Sequence, residues 1–242
     1  MINVVYTFTQ LLFYSFTLKC FVVYTQMHFC TKEVWFMRVI SFLNPKGGSG
    51  KTTAVINVAT CLSRKGLNIA VVDTDPQMSL TNWNESGKAQ FDVYTAASEK
   101  DVYEVRKGLK DYDYVVIDGA GSLSVITSAA VMVSDLVIIS VTPSPLDFSA
   151  SGSVVTVLEA QAFNRPVDAR FLINRKVNQA TMLRVLKDSI ANTGIKVFKT
   201  GITQRQVYVK TILDGETVFE TSDSGAKGEI EVLTNEILAT FE

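Results

Sequence analysis

A glycine-rich loop between an apolar run and a helical run constrains the fold of this chain more than any other feature. The loop covers residues 44–53 and reads N-P-K-G-G-S-G-K-T-T. The run before it, 38–43, has the apolar character of a buried parallel strand, and residues 54–62 repeat apolar side chains at helical spacing. Strand, glycine loop and helix in this order predict a phosphate site, because glycine lets backbone N–H groups converge on phosphate oxygens at a helix N-terminus.

The positions within this loop have distinct expected roles in binding ATP and Mg²⁺. Lys51 is expected to reach the β and γ phosphates, and the Thr52 hydroxyl is expected to ligate the metal ion. The standard pattern places a glycine five residues before Gly50, but Pro45 stands at that position. The remaining residues expected to surround the phosphates are Gly47, Gly48, Ser49, Gly50 and Thr53.

Two further apolar runs end in carboxylates. Residues 68–73 lead into Asp73 and Asp75, and residues 114–118 end at Asp118. Open α/β sheets bind ligands at the carboxyl ends of their strands, so these acids are expected beside the glycine loop. Asp118 is expected to hold Mg²⁺ through water. For Asp73 and Asp75, capping of the following turn is an alternative role.

The rest of the chain continues the alternation of strands and helices. Core strands are predicted at 136–141 and 169–175, and amphipathic helices near 149–162 and 180–192. This order predicts an α/β fold of the P-loop NTPase type, with a doubly wound, mostly parallel sheet flanked by helices. The length of 242 residues, 47% of them hydrophobic, suits a single domain.

Residues 1–36 differ in composition from the rest, being rich in aromatic side chains and poor in charge. A membrane span is an open alternative for this segment, although it contains no clean run of about 18 apolar residues. It has no basic segment of the kind that begins a signal peptide. Met37 directly precedes the first predicted strand. We therefore expect residues 1–36 to be an upstream over-translation and Met37 to begin the native domain, 37–242.

Charge and cysteine content exclude several classes of function. The formal net charge of −1 excludes a globally basic nucleic-acid binder, although not a local basic patch. The three cysteines form no C-x-x-C pair, and the one histidine, His28, lies outside the motif-bearing part. This pattern argues against a disulfide framework, a zinc site and histidine catalysis, and it fits a reducing cytosol.

Basic residues are concentrated in one stretch of the chain. Between residues 164 and 210 there are ten lysines and arginines against two aspartates, whereas residues 211–242 are strongly acidic. The basic stretch has two open interpretations, a solvated surface or a patch that binds DNA in a salt-dependent way. If it binds DNA, the segment 204–210 with Arg205 and Lys210 is the first candidate for the contact.

The run K-G-G-x-G-K-T-T resembles the deviant Walker A motif of the ParA/MinD superfamily. The stretches D-T-D-P-Q at 73–77 and T-P-S-P-L-D at 142–147 narrow the resemblance to ParA-type partition ATPases, in particular the small ParF-like plasmid proteins. The resemblance covers residues 37–242. One departure is that many relatives read D-x-P-P in the second switch, whereas residues 118–121 read D-G-A-G, so Gly119 or Gly121 is expected to sense the γ-phosphate through its N–H group.

The resemblance also implies roles for individual side chains. Lys46 would reach across a dimer to the partner's nucleotide, Asp75 would align the attacking water, and Asp73 would support the water shell of the metal ion. Asn174 and Arg175 would contact the adenine base. Pro143 would shape the ribose side or a subunit contact, with a rigid surface turn as the alternative.

The function implied by the resemblance is ATP-driven DNA partition in the cytoplasm, in association with the nucleoid or a plasmid. ATP and Mg²⁺ would form a sandwich homodimer that binds nonspecific DNA, and whether the dimers polymerise is left open. A centromere-binding partner of the ParB or ParG kind would stimulate hydrolysis. No stable membrane association is expected, because the segment 229–238 is acidic where MinD-like proteins have a basic amphipathic helix.

Two alternative functions share these motifs or this fold. One is a MinD-like positioning ATPase at the membrane, and the other is a metabolic ATP-dependent ligase such as dethiobiotin synthetase. Turnover by a ligase would require a small organic substrate, whereas a partition ATPase would respond to DNA and to a protein partner.

Overall fold

Seven parallel strands form one sheet in the computed structural model, which describes residues 37–177 and 180–242. The strand order across the sheet is β3-β2-β4-β1-β5-β6-β7, and every neighbouring pair is parallel. The α/β fold with a doubly wound sheet is thereby confirmed, and the sheet is parallel throughout. The strands are β1 (Arg38–Leu43), β2 (Ile69–Asp73), β3 (Asp92–Thr95), β4 (Tyr114–Asp118), β5 (Leu136–Val141), β6 (Asp168–Ile173) and β7 (Lys196–Val197).

Helices connect the strands and cover both faces of the sheet. They are α1 (Lys51–Arg64), α2 (Ser79–Asn84), α3 (Glu99–Gly108), α4 (Val125–Val133), α5 (Pro145–Ala162), α6 (Ala180–Ala191), α7 (Gln206–Leu213) and α8 (Ser224–Leu238), with a 3₁₀ turn at Val218–Glu220. The described residues belong to one compact unit, Met37–Glu242. Among them, no helix combines the length and the apolar composition needed to cross a bilayer.

Alternating side chains of the central strands fill two separate cores. Ile40 and Phe42 of β1 pack on the face covered by α1 and α8, whereas Val39 and Leu43 pack on the face covered by α3 to α6. Because both faces are buried, the central strands are almost continuously apolar. This burial is why strands β1, β2, β4, β5 and β6 were predictable from their apolar runs.

The two strands that the sequence did not reveal lie at the edges of the sheet. Three of the four residues of β3 are exposed or polar, and β7 is only two residues long. An edge strand needs no two-sided apolar run, so its signal in the sequence is weak. Helix α5 begins four residues earlier than predicted, because Pro145 occupies its first turn, where the absence of an N–H group costs nothing.

The prediction that Met37 begins the native domain concerns residues 1–36, which lie outside the described part of the chain. It stays a prediction. Within the described part, Met37 is buried and Arg38 is the first residue of β1.

Candidate functional site

The glycine loop leaves β1 at the centre of the sheet and enters α1 at Lys51. Gly48 and Gly50 have φ angles of 78° and 83°, in the left-handed region that favours glycine. At Gly50 a Cβ atom would also lie 2.4 Å from the Asn174 side-chain nitrogen. Both the backbone conformation and the available space therefore require glycine here, as expected for a loop whose N–H groups face a phosphate.

Lys51 is buried at the start of α1, and its ammonium group lies 3.3 Å from the backbone oxygen of Lys46, across the mouth of the loop. Burial lowers the pKa of Lys51, while the carboxylates of Asp118 and Asp75 act in the opposite direction. No carboxylate forms an ion pair with this lysine among the described residues. A phosphate group would supply the counter-charge that no ion pair provides within residues 37–177 and 180–242.

Asp118 ends β4 directly beside the loop, and it is fully buried. Neither of its carboxylate oxygens has a hydrogen-bond partner within the described residues. Burial raises the pKa of Asp118 to about 7. The nearby Thr52 hydroxyl and the Lys51 ammonium group act to lower this pKa, whereas the Asp73 carboxylate acts to raise it. A buried carboxylate without a partner is costly, and a hydrated divalent cation would satisfy it. The residues present therefore fit Mg²⁺ held by Asp118 through water and by the Thr52 hydroxyl.

Asp73 has a local structural role. Its carboxylate accepts hydrogen bonds from the Asp75 N–H at 3.0 Å, the Thr81 N–H at 3.0 Å and the Thr81 hydroxyl at 2.9 Å. These bonds tie the end of β2 to the first turn of α2. Of the two interpretations offered by the sequence, the geometry supports capping of the following turn, and support of a metal-bound water stays a prediction.

Asp75 joins the two loops that follow β2 and β4. One carboxylate oxygen accepts from the Gln77 N–H at 2.9 Å, and the other accepts from the Gly121 N–H at 3.2 Å. A Cβ atom on Gly121 would lie 3.2 Å from the Gly47 Cα atom. Gly121 therefore lies between Asp75 and Gly47 of the glycine loop, and the catalytic role of Asp75 stays a prediction.

The two glycines after Asp118 are not equivalent. The Gly119 N–H donates to the Phe42 oxygen at 3.0 Å, as part of the contact between β4 and β1. The expectation that either glycine could sense a γ-phosphate is therefore wrong for Gly119, because its N–H group is already used in the sheet. Gly121, whose N–H donates to a side chain, is the remaining candidate.

Lys46 points away from its own loop. Its ammonium group forms an ion pair with Asp147 in the first turn of α5, and the same carboxylate accepts a hydrogen bond from the Thr142 hydroxyl. Asp147 is buried and Lys46 is 40% exposed in its side chain. Pro143 lines the cleft that contains Lys46 and Gly47. Its expected role on the ribose side or in a subunit contact stays a prediction.

The second cavity, which we call the base-side cavity, has a volume of about 350 Å³ and opens beside Gly50 and Thr53. Asn174 and Arg175 line it, and their contact with the base stays a prediction. Asn174 is also bonded to the loop, because its amide nitrogen donates to the Gly50 oxygen at 3.0 Å. The other residues lining this cavity are Ile202, Thr203, Gln204, Arg205, Tyr208, Val209, Ile212 and Leu213.

The two candidate DNA contacts differ in their surroundings. Lys210 is exposed on α7, but the Arg205 guanidinium pairs with Glu229 at 3.2 Å and with Asp223 at 3.7 Å. Two carboxylates of the acidic C-terminal part neutralise Arg205, which weakens its candidacy as a DNA contact, and the candidacy of both residues stays a prediction. The sequence showed both charge blocks but not that they meet at this point.

Sequence reasoning assigned no role to Asp147 or Ser140. Asp147 is the last residue of the T-P-S-P-L-D stretch, so the family resemblance included it without giving it a partner. Ser140, a polar residue within the apolar run of β5, donates from its hydroxyl to the Ser49 oxygen at 3.0 Å. A buried polar residue in an otherwise apolar strand was the available signal, because such groups need a hydrogen-bond partner.

A parallel doubly wound sheet, a glycine loop between its central strand and a helix, a buried lysine and an unpartnered buried aspartate together define a P-loop nucleotide-binding protein. Comparison with known families agrees. Residues 40–218 match the CobQ/CobB/MinD/ParA nucleotide-binding domain. The chain belongs to this family, and the resemblance to the ParA/MinD superfamily is confirmed.

Two curated relatives show where in the family the similarity lies. Maintenance of carboxysome distribution protein A of Halothiobacillus neapolitanus is 30% identical over 207 residues, covering 82% of this chain and 95% of the relative. Protein ParA of Rhizobium radiobacter is 28% identical over 181 residues, covering 71% and 81%. The similarity therefore extends over most of this chain and over most of each relative.

Solved structures share the fold at lower sequence identity. McdA of Cyanothece in complex with ATP superposes with a TM-score of 0.69 at 15% identity, covering 84% of this chain and 97% of that structure. A plasmid partition protein of Borrelia burgdorferi bound to AMPPNP has a TM-score of 0.67 at 20% identity, covering 85% and 99%. At these identities the comparison supports the fold alone.

Proposed function

We propose that this protein is a partition-type ATPase in which Mg²⁺ and ATP assemble a homodimer, and hydrolysis dissolves it. The dimer moves or spaces a cargo in the cytoplasm by binding nonspecific DNA of the nucleoid. A separate cargo-bound protein stimulates hydrolysis. For a plasmid cargo, that partner is a centromere-binding protein of the ParB or ParG kind.

The observation that carries this proposal is that two lysines of one loop have different partners. Lys51 is buried across the mouth of the loop, whereas Lys46 leaves the loop to meet Asp147. A phosphate site that serves only its own chain needs one such lysine. The outward, partly exposed Lys46 fits a role in a partner's nucleotide site, as its position in the motif suggests.

The placement of the other residues supports the roles that we propose for them. Lys51, the glycine loop and Thr52 bind the phosphates and Mg²⁺, with Asp118 behind the ion. Bound Mg²⁺ supplies charge neutralisation for the phosphates. Asp75, in contact with Gly121, orients the attacking water.

DNA binding would use basic side chains that are free of ion pairs. Arg205 is disfavoured by its carboxylate partners, whereas the exposed Lys210 on α7 remains. Other side chains of the basic stretch with no ion pair among the described residues are Lys176, Arg184, Lys187, Lys196 and Lys199. Binding through such contacts should weaken steeply with salt.

The relatives name two kinds of cargo. The similarity to a carboxysome distribution protein over 95% of its length supports a protein compartment as a second candidate beside a plasmid. The nucleotide cycle is the same for both, and the difference lies in the partner protein.

The test is ATP hydrolysis by the purified chain with and without nonspecific duplex DNA, at low and high salt, with Lys210→Ala as variant and Lys65→Ala as control. Lys65 is exposed at the end of α1 and lies outside the basic stretch. Stimulation that high salt abolishes and that Lys210→Ala reduces supports the proposal.

A rate of hydrolysis that DNA leaves unchanged and anionic vesicles increase would indicate a MinD-like positioning protein. Hydrolysis that requires a small organic substrate would point to a ligase. Either result would contradict the proposal.

A further inference from the structure

The base-side cavity is bounded by a loop that has no regular secondary structure of its own. Residues 202–205 form one wall and lead into α7, whose residue Tyr208 continues it. Gly50 and Thr53 of the glycine loop also line the cavity. The position of the 202–205 loop therefore shapes part of the cavity wall.

One side of this loop is fixed by backbone hydrogen bonds. The Lys176 N–H donates to the Ile202 oxygen at 2.8 Å, and the Gln204 N–H donates to the Lys176 oxygen at 3.0 Å. Thr203 lies between these bonds and forms a parallel bridge with Lys176. Its own N–H group points to the other side, so a second partner is needed there.

Glu229 of α8 supplies that partner. Its carboxylate accepts from the Thr203 N–H at 3.1 Å and from the Thr203 hydroxyl at 2.5 Å. Hydrogen bonds to a charged acceptor are stronger than neutral ones. The loop is thus held between the segment after β6 on one side and one side chain of α8 on the other.

The same carboxylate also holds the start of α7. The Arg205 guanidinium donates to Glu229 at 3.2 Å, and the Tyr208 hydroxyl lies 3.5 Å from it. Gly225 makes room for this arrangement, because a Cβ atom there would lie 2.9 Å from the guanidinium. Three residues that line the cavity, Thr203, Arg205 and Tyr208, therefore meet at one side chain that does not line it.

Glu229 is ionised in this position. Burial acts to raise its pKa, but the hydrogen bonds from Arg205 and Thr203 outweigh burial and lower the pKa below the ordinary value. Its carboxylate therefore remains a charged acceptor at neutral pH.

We infer that Glu229 is a positioning residue for nucleotide binding, which acts through Thr203 and Arg205 to fix the wall of the cavity that receives the base. The inference rests on the proposed nucleotide site and adds a residue to it. Glu229 touches no part of the phosphate loop among its hydrogen-bond partners. Its loss should therefore weaken recognition of the nucleoside without weakening recognition of the phosphates.

The experiment measures binding of two probes, ATP and inorganic tripolyphosphate, each with Mg²⁺, by titration calorimetry. Glu229→Ala is compared with Glu231→Ala, an exposed residue two positions along the same helix. Glu229→Gln is the second variant, since its amide oxygen still accepts from Thr203. We expect Glu229→Ala to weaken ATP binding by about tenfold, because the cavity wall loses its hydrogen bonds from Thr203 and Arg205 to Glu229, and to leave tripolyphosphate binding unchanged. Glu229→Gln should fall between the wild type and Glu229→Ala.

Amide hydrogen exchange at Thr203 gives a second measurement in the chain without nucleotide. Exchange should accelerate in Glu229→Ala and remain unchanged in Glu231→Ala. Equal losses for both probes, or ATP binding equal to that of the control, would overturn the inference while leaving the nucleotide site in place. A wild-type chain that bound neither probe would overturn the proposed function as well.

Discussion

The ammonium group of Lys46 is ion-paired with Asp147, a residue 101 positions later in the chain and in the first turn of α5. The Thr142 hydroxyl contacts the same carboxylate. Lys46 therefore has a partner within its own chain, and the proposed contact with a second copy requires that this ion pair open. The intramolecular pair and the dimer compete for one lysine.

Asp147→Asn should favour the dimer, because the neutral amide no longer holds the ammonium group. We expect the dissociation constant of the ATP-bound dimer to fall about three- to tenfold, in keeping with the modest strength of partly exposed ion pairs. Sedimentation velocity with ATP and Mg²⁺ measures it. Asp168→Asn, which removes an ion pair with Arg170 at the start of β6, should leave dimerisation unchanged. A weaker dimer in Asp147→Asn would show that the pair supports assembly.

Lys51→Ala should abolish tight ATP binding, because it removes the only buried cation at the mouth of the described glycine loop. A loss of about a hundredfold or more is expected for a lysine that contacts two phosphates directly. Lys65→Ala, at the exposed end of the same helix, is the matched control. Affinity equal to that of the control would contradict the phosphate-loop assignment.

Asp75→Ala should bind ATP and dimerise but hydrolyse it about a hundredfold more slowly, the usual contribution of a group that positions or activates a nucleophile. The change also removes the acceptor for the Gly121 N–H. Asp75→Asn separates the two effects, since it retains an acceptor oxygen without the charge. Single-turnover hydrolysis measures the rates, with the exposed Asp111 changed to alanine as control. Wild-type turnover in Asp75→Ala would remove Asp75 from the mechanism.

Asp118→Asn should change how the stability of the chain depends on pH when nucleotide and Mg²⁺ are removed. The pKa of Asp118 is about 7 in the folded chain and 3.8 ordinarily. Between these values the folded chain binds a proton that the unfolded chain has lost, so the free energy of unfolding falls as pH rises from about 4 to 7 and then levels off. The total effect is up to about 4 kcal/mol.

Urea unfolding at pH 5 and pH 8 measures this effect. The free energy of unfolding of Asp118→Asn minus that of the wild type should be more positive at pH 8 than at pH 5. Mg²⁺-dependent ATP binding by the variant should be lost at both pH values. Asp113→Asn is the control, since Asp113 lies before β4 and outside the buried site. If the variant and the wild type differed in stability by the same amount at both pH values, ionisation of the buried Asp118 would not destabilise the chain.

Much of the fold could be predicted because burial leaves a direct trace in the sequence. The apolar runs of β1, β4 and β5 report strands covered on both faces, and the glycine loop reports the phosphate site. The edge strands β3 and β7 left no such trace. Site details were predictable only where they depend on nearby residues of the chain, as with the loop itself.

The remaining details depend on side chains that meet across the fold. The pairing of Lys46 with Asp147, of Gly121 with Asp75 and of Arg205 with Glu229 joins residues that are 24 to 101 positions apart. Such contacts follow from the register of helices against the sheet, which motifs and periodicity do not specify. The role of Asp73 also could not be predicted, because its hydrogen bonds to Thr81 depend on how the loop after β2 turns into α2. This holds although Thr81 is only eight residues away.

The Asn174 amide holds the carbonyl group of Gly50 while it also lines the base-side cavity. The Asn174 side chain thus contributes both to the cavity that would receive the base and to the loop that would bind the phosphates. Evolution toward a different nucleotide base by substitution at Asn174 would loosen the phosphate loop at the same time. Variation in base preference within such a scaffold should therefore arise at Gln204, Val209 or Leu213, where a change alters the cavity and leaves the Asn174 bond to the loop intact.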